Sequence, residues 1–427
     1  MSDEKFQVIV IGAGMAGIAS AYRLAQSGVE VVLVDRGEQP GAKNVSGGRL
    51  YAYALEKLMP EEWMNAPFER EITREMMMMM TEEDSMTIDS SFSSIKSKSF
   101  SVLRGSFDSW MASKAEDAGA MVIPGTTVDG LIVRNGKVCG IKTGDEELEA
   151  DLVISAEGVN PLVAERSGLI RKNKIEDAAV GVKQIYKLSE SEINERFNVQ
   201  DGQGAAMLCA GSCTKGISGG AFLYTNKASI SVGIVADTCA LKESGISITN
   251  IVEDFLSHPS ISRYVKGAEL IEYSAHLIPE GGFRSLPRLY SDGLLLTGDA
   301  AGLVVNRGFT VRGMDYAILS GMAAADTAIE AIKANNYSST MLKNYQLRLE
   351  QNVLRDLKTL QRSHRYIAQS KHLFTTYPML ATHLMKNLYT IDGTPAKSVI
   401  GLTKQSLKGN MPWMSVMKDM FRGGRSL

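Results

Sequence analysis

Gly12, Gly14 and Gly17 stand in G-x-G-x-x-G spacing, and Asp35 follows about 20 residues on. These residue types at this spacing can hold a dinucleotide. Gly12 permits a tight turn, Gly14 lets the backbone approach a pyrophosphate, and Gly17 allows a helix to pack closely on a strand. A helix N-terminus beside them offers free N–H groups and a positive dipole end to phosphate. The Asp35 carboxylate can accept both hydroxyls of an adenosine ribose. The elements that must position these groups are legible around them. Val8 to Ile11 is an apolar run expected as a buried parallel strand, Met15 to Ser27 a helix stopped by Gly28, and Val29 to Val34 a second strand ending at Asp35. Strand, helix, strand and acidic end in this order favour dinucleotide binding over a glycine-rich turn in an ordinary βαβ unit.

The bulk properties narrow the classes. The chain has 427 residues, 44% hydrophobic and 22% charged, with a formal net charge of −2. That length suits two or three domains, and the near-neutral balance argues against a nucleic-acid partner, which needs a basic face. No apolar run reaches the ~18 residues of a membrane span. The acidic start MSDEKF leads directly into the first strand and does not read as a signal peptide, so the expected location is the cytoplasm. Cys139, Cys209, Cys213 and Cys239 show no C-x-x-C pair and no ferredoxin-type spacing, which favours buried or free thiols over a metal or cluster.

Met76–Met80 is read as a buried strand rich in a flexible side chain, against a soft greasy surface. Residues 70–100 alternate like strands. Phe107–Ala118 reads as a helix, and Ala120–Ile123, Gly130–Arg134, Lys137–Lys142 and Leu152–Ala156 as strands. The Asn135-Gly136 pair should make a hairpin turn. Residues 178–290 read as β-rich, including Gly220–Tyr224 and Ser229–Ala236, with one helix near Asn250–Leu256. Leu294–Thr297 is an apolar strand, Arg312–Ala334 a long helix, and residues 338–427 are mostly helical in pattern.

Two further strand ends carry recognisable motifs. Leu294-Leu-Leu-Thr-Gly-Asp-Ala-Ala-Gly302 resembles the G-D motif of FAD-dependent oxidoreductases of the glutathione-reductase structural class, in which the aspartate binds the ribityl chain near the pyrophosphate. Gly298 and Asp299 hold that place. Val153-Ile-Ser-Ala-Glu-Gly-Val-Asn160 resembles the aspartate-glycine motif of flavin hydroxylases, except that Glu157 stands where aspartate is usual; Ala156 and Gly158 are kept as cofactor contacts. Three longer segments narrow the likeness: Gly41–Tyr51 (GAKNVSGGRLY), Ser101–Arg104 with Phe107–Trp110, and Asn306–Asp315 (NRGFTVRGMD). They resemble the electron-transfer-flavoprotein:quinone oxidoreductase family, in particular its short bacterial Fix-type branch. Glu272-Tyr-Ser-Ala-His276 and Thr390-Ile-Asp-Gly393 extend the likeness nearly end to end.

The resemblance implies an α/β fold: a Rossmann-like FAD-binding domain of the glutathione-reductase class, an inserted β-rich substrate or partner domain, and a helical C-terminal region. The expected division is 1–70, 101–175 and 291–335 for the first, 71–100 and 176–290 for the second, and 336–427 for the third. It implies FAD as cofactor, electrons accepted from a two-subunit electron-transfer flavoprotein, and delivery to quinone or a low-potential ferredoxin-like partner. Longer members carry a fused iron–sulfur domain; this chain lacks the cysteines for one, so any cluster is expected on a separate small protein. A peripheral contact with the inner face of the cell membrane is an added expectation, with Met411–Phe421 as either that contact, a partner dock, or a packed terminal helix.

With the flavin carrying the chemistry, no catalytic triad is expected. Implied cofactor contacts are Gly12, Gly14, Ala16, Gly17, Asp35, Arg36, Lys43, Asn44, Gly47, Gly48, Arg49, Arg104, Val128, Ala156, Gly158, Gly298, Asp299, Gly308, Phe309 and Thr310. Lys43, Asn44, Gly47 and Gly48 should lie along the isoalloxazine, and Arg104 should approach ribose or pyrophosphate as a charge-assisted donor. A helix beginning near Gly308–Arg312 should aim its N-terminus at the flavin N1/O2 edge. Arg307 departs from the family pattern, where an apolar residue is usual; it is read either as a fixed cation tuning the flavin or as an ordinary loop arginine. His276 is read as a structural histidine before a proton donor. The alternative function is an FAD monooxygenase or isoprenoid-type reductase acting on a small molecule with NAD(P)H, and a third is a non-catalytic flavin-binding partner or redox sensor. Only one G-x-G-x-x-G lies in βαβ context, so no second nicotinamide domain is evident.

Overall fold

A computed structural model describes residues 5–42, 47–92, 96–168, 178–395, 397–407 and 412–426. Lys43, Asn44, Met411 and the expected division at 175/176 lie outside the described residues.

The chain opens with β1 (Lys5–Ile11), α1 (Met15–Gln26) and β2 (Val31–Val34). Val8, Ile9 and Val10 are fully buried, as a strand covered on both faces must be. Next come β3 (Gly48–Tyr51), α2 (Tyr53–Leu58), β4 (Glu71–Met80), β5 (Ser85–Ser91), β6 (Ser99–Val102), α3 (Arg104–Asp117) and β7 (Met121–Ile123). The hairpin β8 (Gly130–Arg134) and β9 (Lys137–Thr143) turns at Asn135 and Gly136, with φ of 52° and 79°, the positive pair that a two-residue turn of this twist requires. β10 (Glu146–Ser155) returns through the first sheet to α4 (Leu162–Arg166). The middle of the chain holds β11 (Ala178–Lys187), α5 (Glu190–Phe197), β12 (Gln203–Gly211), β13 (Gly219–Thr225), β14 (Ser229–Asp237), α6 (Thr238–Ser244), α7 (Ile248–Ser257), α8 (Pro259–Val265) and β15 (Glu269–Pro279). The remainder is β16 (Tyr290–Ser291), β17 (Leu294–Leu296), β18 (Val305–Asn306), β19 (Val311–Arg312), α9 (Met314–Lys333), α10 (Ser339–Glu350), α11 (Val353–Gln369), α12 (Thr376–Tyr389), α13 (Val399–Leu407) and α14 (Trp413–Ser426).

Two large sheets organise these elements. The first runs β16-β17-β10-β1-β2-β7, with β17, β10, β1, β2 and β7 mutually parallel. This is a Rossmann-like arrangement, and the mixed α/β class with a helical C-terminal region is as expected. α1 and α9 cover one face and touch through small residues. A Cβ on Gly321 of α9 would come within 2.3 Å of the Ala16 carbonyl, and Ser20 Oγ donates to the Gly321 carbonyl at 3.0 Å. The second sheet runs β15-β11-β14-β13-β12-β4-β6-β3, with β5 on β4. Gly48–Tyr51, which the sequence division groups with the first domain, hydrogen-bonds into this second sheet, while Leu50 is buried in the first core.

Met76, Met78 and Met80 are buried in the second core, while Met77 and Met79 are half-buried on the other face; α12 lies against β4, β5 and β12. The methionine run is thus a strand, as expected. The one helix expected in 178–290 becomes four. Ile193, Phe197, Ile251, Val252, Phe255, Ile261 and Tyr264 of α5, α7 and α8 seal the second core. These helices are short, seven to ten residues each, too short for a strong 3.6-residue pattern.

Candidate functional site

The carboxyl ends of five parallel strands lie level. Gly12 N–H donates to Val34 O at 2.7 Å, Ala156 N–H to Ile11 O at 2.8 Å, Thr297 N–H to Ser155 O at 3.0 Å, and Asp35 N–H to Ile123 O at 3.1 Å. Ligands of open parallel sheets sit beyond such ends. The structure therefore brings Gly12–Gly17, Asp35–Arg36, Ala156–Gly158 and Gly298–Asp299 to one edge, although they are up to 287 residues apart in sequence.

The glycines are required by packing. Gly12 has φ of 100°, and a Cβ there would lie 2.4 Å from Ala156 O; one on Gly17 would lie 1.9 Å from Gly12 O. Gly298, at φ of 64°, faces Ala16, whose Cβ would be 2.8 Å from its own. Gly14 is the extended residue before α1, and no side chain caps the helix there, so its first-turn N–H groups are uncommitted to side chains. Asp35 is positioned by accepting from Ala13 N–H and Gly37 N–H, both at 2.6 Å. Thr126 N–H donates to the Asp35 carbonyl at 2.8 Å, which brings the loop bearing half-buried Val128 alongside; Arg36 is exposed.

Asp299 forms a second carboxylate across the helix N-terminus. Burial pushes its carboxyl up, against the opposing pull of Arg104 and His276. Arg104, expected just before a helix, is instead the first residue of α3. It makes a bidentate pair with fully buried Asp108, Nε to Oδ1 at 2.9 Å and Nη2 to Oδ2 at 2.7 Å. His276, half-buried on β15, is held low by burial, with Asp299 opposing and Arg104, Arg36 and Lys183 adding to the shift. Lys183 was not singled out in the sequence. Its ammonium donates to the Gly47 carbonyl, and burial with the Arg104 charge lowers it to about 7. A lysine in the strand-like run Ala-Val-Gly-Val-Lys-Gln-Ile reads as a solvated position, and only the packing of the two sheets turns it inward.

These groups fit FAD. Two carboxylates flank an uncapped helix N-terminus, and the glycines form a cradle that any Cβ would fill. Gly47, with φ of 73°, and Gly48, where a Cβ would stand 3.0 Å from Met314 Cε, extend that cradle toward the second sheet.

Glu157, Gly158 and Arg49 have the following surroundings. Glu157 accepts from Val163 N–H at 2.8 Å, Ala164 N–H at 3.1 Å and Ser155 Oγ at 2.8 Å, so its longer side chain caps α4. Gly158 keeps a positive φ of 79° and has open space around it, which leaves room for the close approach expected there. Arg49 gives its guanidinium to Glu75, with Nη1 at 2.9 Å from Oε2, and to Ser99 Oγ at 3.0 Å.

The expected helix start near Gly308–Arg312 is a hairpin. β18 and β19 pair at Asn306 and Val311, and Arg307 N–H donates to Thr310 O at 3.0 Å. Gly308 and Phe309 form its exposed tip, Phe309 being 56% exposed, while Arg307 and Thr310 are half-buried. α9 begins later, at Met314, and carries buried Asp315 in its first turn, which accepts from Arg312 Nε at 2.9 Å and Nη2 at 2.6 Å and from Tyr53 Oη at 3.0 Å. The start of α9 thus carries the Arg312–Asp315 ion pair, where the expectation had a bare helix N-terminus.

Comparison with known proteins agrees with this geometry. A family model described as FAD dependent oxidoreductase matches residues 7–83, and one described as the ETF-QO/FixC family C-terminal domain matches residues 364–427. The chain is 44% identical over 397 residues to Protein FixC of Escherichia coli (strain K12), covering 92% of each. It is 41% identical over 431 residues to "Probable electron transfer flavoprotein-quinone oxidoreductase YdiS" of the same strain, covering 100% of each. A solved structure of a geranylgeranyl bacteriochlorophyll reductase-like protein from Thermoplasma acidophilum matches with a TM-score of 0.72 at 21% identity, over 98% of this chain and 99% of that one, and shows the shared fold. The protein is thus an FAD-dependent oxidoreductase. More particularly, the chain belongs to the ETF-QO/FixC family.

Proposed function

We propose that this protein accepts electrons from an electron-transfer flavoprotein and passes them to quinone or to a separate ferredoxin-like iron–sulfur protein. The observation that carries the reading is the meeting of the Gly12–Gly17 and Gly298–Asp299 strand ends at one sheet edge, in a chain of this family. FAD supplies the redox chemistry; the chain's residues bind, orient and tune it. In this reading Asp35 accepts the adenosine ribose hydroxyls, and Gly12, Gly14, Ala16 and Gly17 admit the pyrophosphate at the head of α1. Gly298 and Asp299 take the ribityl hydroxyls. Arg104, held in place by Asp108, supplies positive charge near the phosphate, and Gly47 and Gly48 pass along the isoalloxazine. The first sheet with its helices is the FAD-binding unit, and the second sheet is the partner-facing unit.

The C-terminal helices extend the proposal to a peripheral membrane contact. Among the described residues no helix is long and apolar enough to cross a membrane. α14 rests on α11 and α12 through Asp419, whose carbonyl accepts from Tyr366 Oη at 3.2 Å and whose carboxylate accepts from Tyr377 Oη at 2.7 Å. Met414, Met417 and Phe421, spaced as one helical face, point outward and are exposed. Residues 386–427 carry seven Lys or Arg against two Asp, a charge that suits anionic headgroups.

Anaerobic stopped-flow spectroscopy of the purified flavoprotein tests the electron route. Reduced electron-transfer flavoprotein is expected to bleach the flavin, and NAD(P)H alone is not. Rapid bleaching by NAD(P)H alone overturns the relay and favours direct action on a small molecule.

A further inference from the structure

Lys183 sits in β11, where strand alternation turns Val180 and Val182 toward the helix-covered core and Lys183 and Ile185 to the opposite face. There its ammonium donates to the Gly47 carbonyl and lies 5.4 Å from the Phe222 ring centroid. Ile185 and Ser231 bound the same spot, since a Cβ on Gly47 would come within 3.0 Å of Ile185 Cδ1 and 2.1 Å of Ser231 Oγ. The charged and titratable groups facing it are Arg104 from α3 and Glu272 and His276 from β15; Asp299 and Arg36 act on His276 in the same cluster. Desolvation of this part-buried ammonium and the like charge of Arg104 both disfavour its charged form and outweigh the opposing pull of Glu272. Its value of about 7 leaves the amine part neutral near neutral pH.

Resting on the reading that Gly47, Gly48 and Asp299 lie along FAD, we propose that Lys183 takes up a charge-compensating proton when the flavin is reduced. Two electrons from the electron-transfer flavoprotein, with one proton from solvent, would leave one net negative charge beside Lys183. That charge raises the affinity of the neighbouring amine for a proton, which comes from solvent. Where the amine starts neutral, the sum is two electrons and two protons; where it starts charged, two electrons and one proton. No other bond forms or breaks. The lysine thereby couples the flavin potential to pH above neutrality, a property that a permanently charged arginine in its place lacks.

The slope of the flavin midpoint potential against pH counts protons per electron pair. It is measured by mediated potentiometric titration of the holoprotein from about pH 7.5 to 9. The wild-type slope is expected to be about twofold that of Lys183→Met and of Lys183→Arg toward the lower end of that range, with the arginine variant at the higher potential of the two. Superimposable slopes for wild type and Lys183→Met overturn the proposal. Where the methionine variant retains less FAD, Lys183→Arg decides: a slope equal to wild type overturns the proposal, and a halved slope supports it. FAD stoichiometry of Gly12→Val separates the two readings. Undiminished FAD in that variant sinks the site assignment, whereas lost FAD with superimposable Lys183 slopes sinks the proton proposal alone.

Discussion

Glu157 shows what one methylene does. At the end of β10 a carboxylate is expected at a cofactor, yet this one reaches past the strand end to the N-terminus of α4, accepting two backbone N–H groups there. Burial pushes its carboxyl up, and the backbone and Ser155 bonds oppose that shift. Glu157→Asp shortens the reach and leaves those N–H groups without their acceptor. A loss of about 1 kcal/mol in urea unfolding is expected, with FAD stoichiometry unchanged. A large loss of FAD in this variant returns Glu157 to the cofactor. Arg104 and Arg49 make the same point in opposite directions. Both are arginines tied to a carboxylate, but Arg104 remains within the field of Asp299, while Arg49 is engaged by Glu75 and Ser99 on neighbouring strands.

At the scale of elements, short helices are placed by their ends. α8 is capped by His258, whose Nδ1 accepts from Ser260 N–H at 3.1 Å while its Nε2 lies 3.2 Å from Thr81 O. The acceptor role requires an unprotonated Nδ1, and burial lowers the affinity of the ring for a second proton. The folded-state value lies below the unfolded one, so the unfolded chain binds the proton first. Stability is complete above the unfolded value of about 6.5 and falls as pH drops through it toward the folded value. His258→Asn keeps a good cap that does not titrate. Chemical unfolding from about pH 7.5 to 5.5 is expected to show a steeper loss in wild type than in this variant; parallel curves refute the linkage. The hairpin β18–β19 is the element least visible beforehand. Gly308–Arg312 reads as a helix start because a long apolar helix follows. Pairing of Asn306 with Val311, two residues of strand on each side, is too short to leave a periodic trace.

At the scale of the whole molecule, two large sheets form the body, and the C-terminal helices add an outward apolar face. α14 packs on α11, is tied to Tyr377 of α12, and leaves Met414 83% exposed and Phe421 68% exposed. Single exposed apolar residues are ordinary, but a stripe of them flanked by Lys418 and Arg422 is a surface-binding pattern. Sedimentation with anionic vesicles is expected to carry down the wild type, more weakly in high salt, and to lose the Met417→Asp/Phe421→Asp double variant. Equal recovery of both proteins in the pellet removes the membrane contact from the proposal.

The sequence by itself determined the dinucleotide edge, because its signals are local. Glycine spacing, two apolar strands and the acid at Asp35 need only a βαβ unit to acquire meaning, and the second glycine-rich strand end at Asp299 repeats that logic. The methionine strand and the Asn135-Gly136 turn were legible for the same reason. Tertiary structure alone decided which charges share the site. Lys183, Arg104, His276 and Asp299 come from three regions of the chain and meet only because β11 and β15 of the second sheet face the strand ends of the first. Periodicity records which face of a strand is apolar; it does not record what the other face meets.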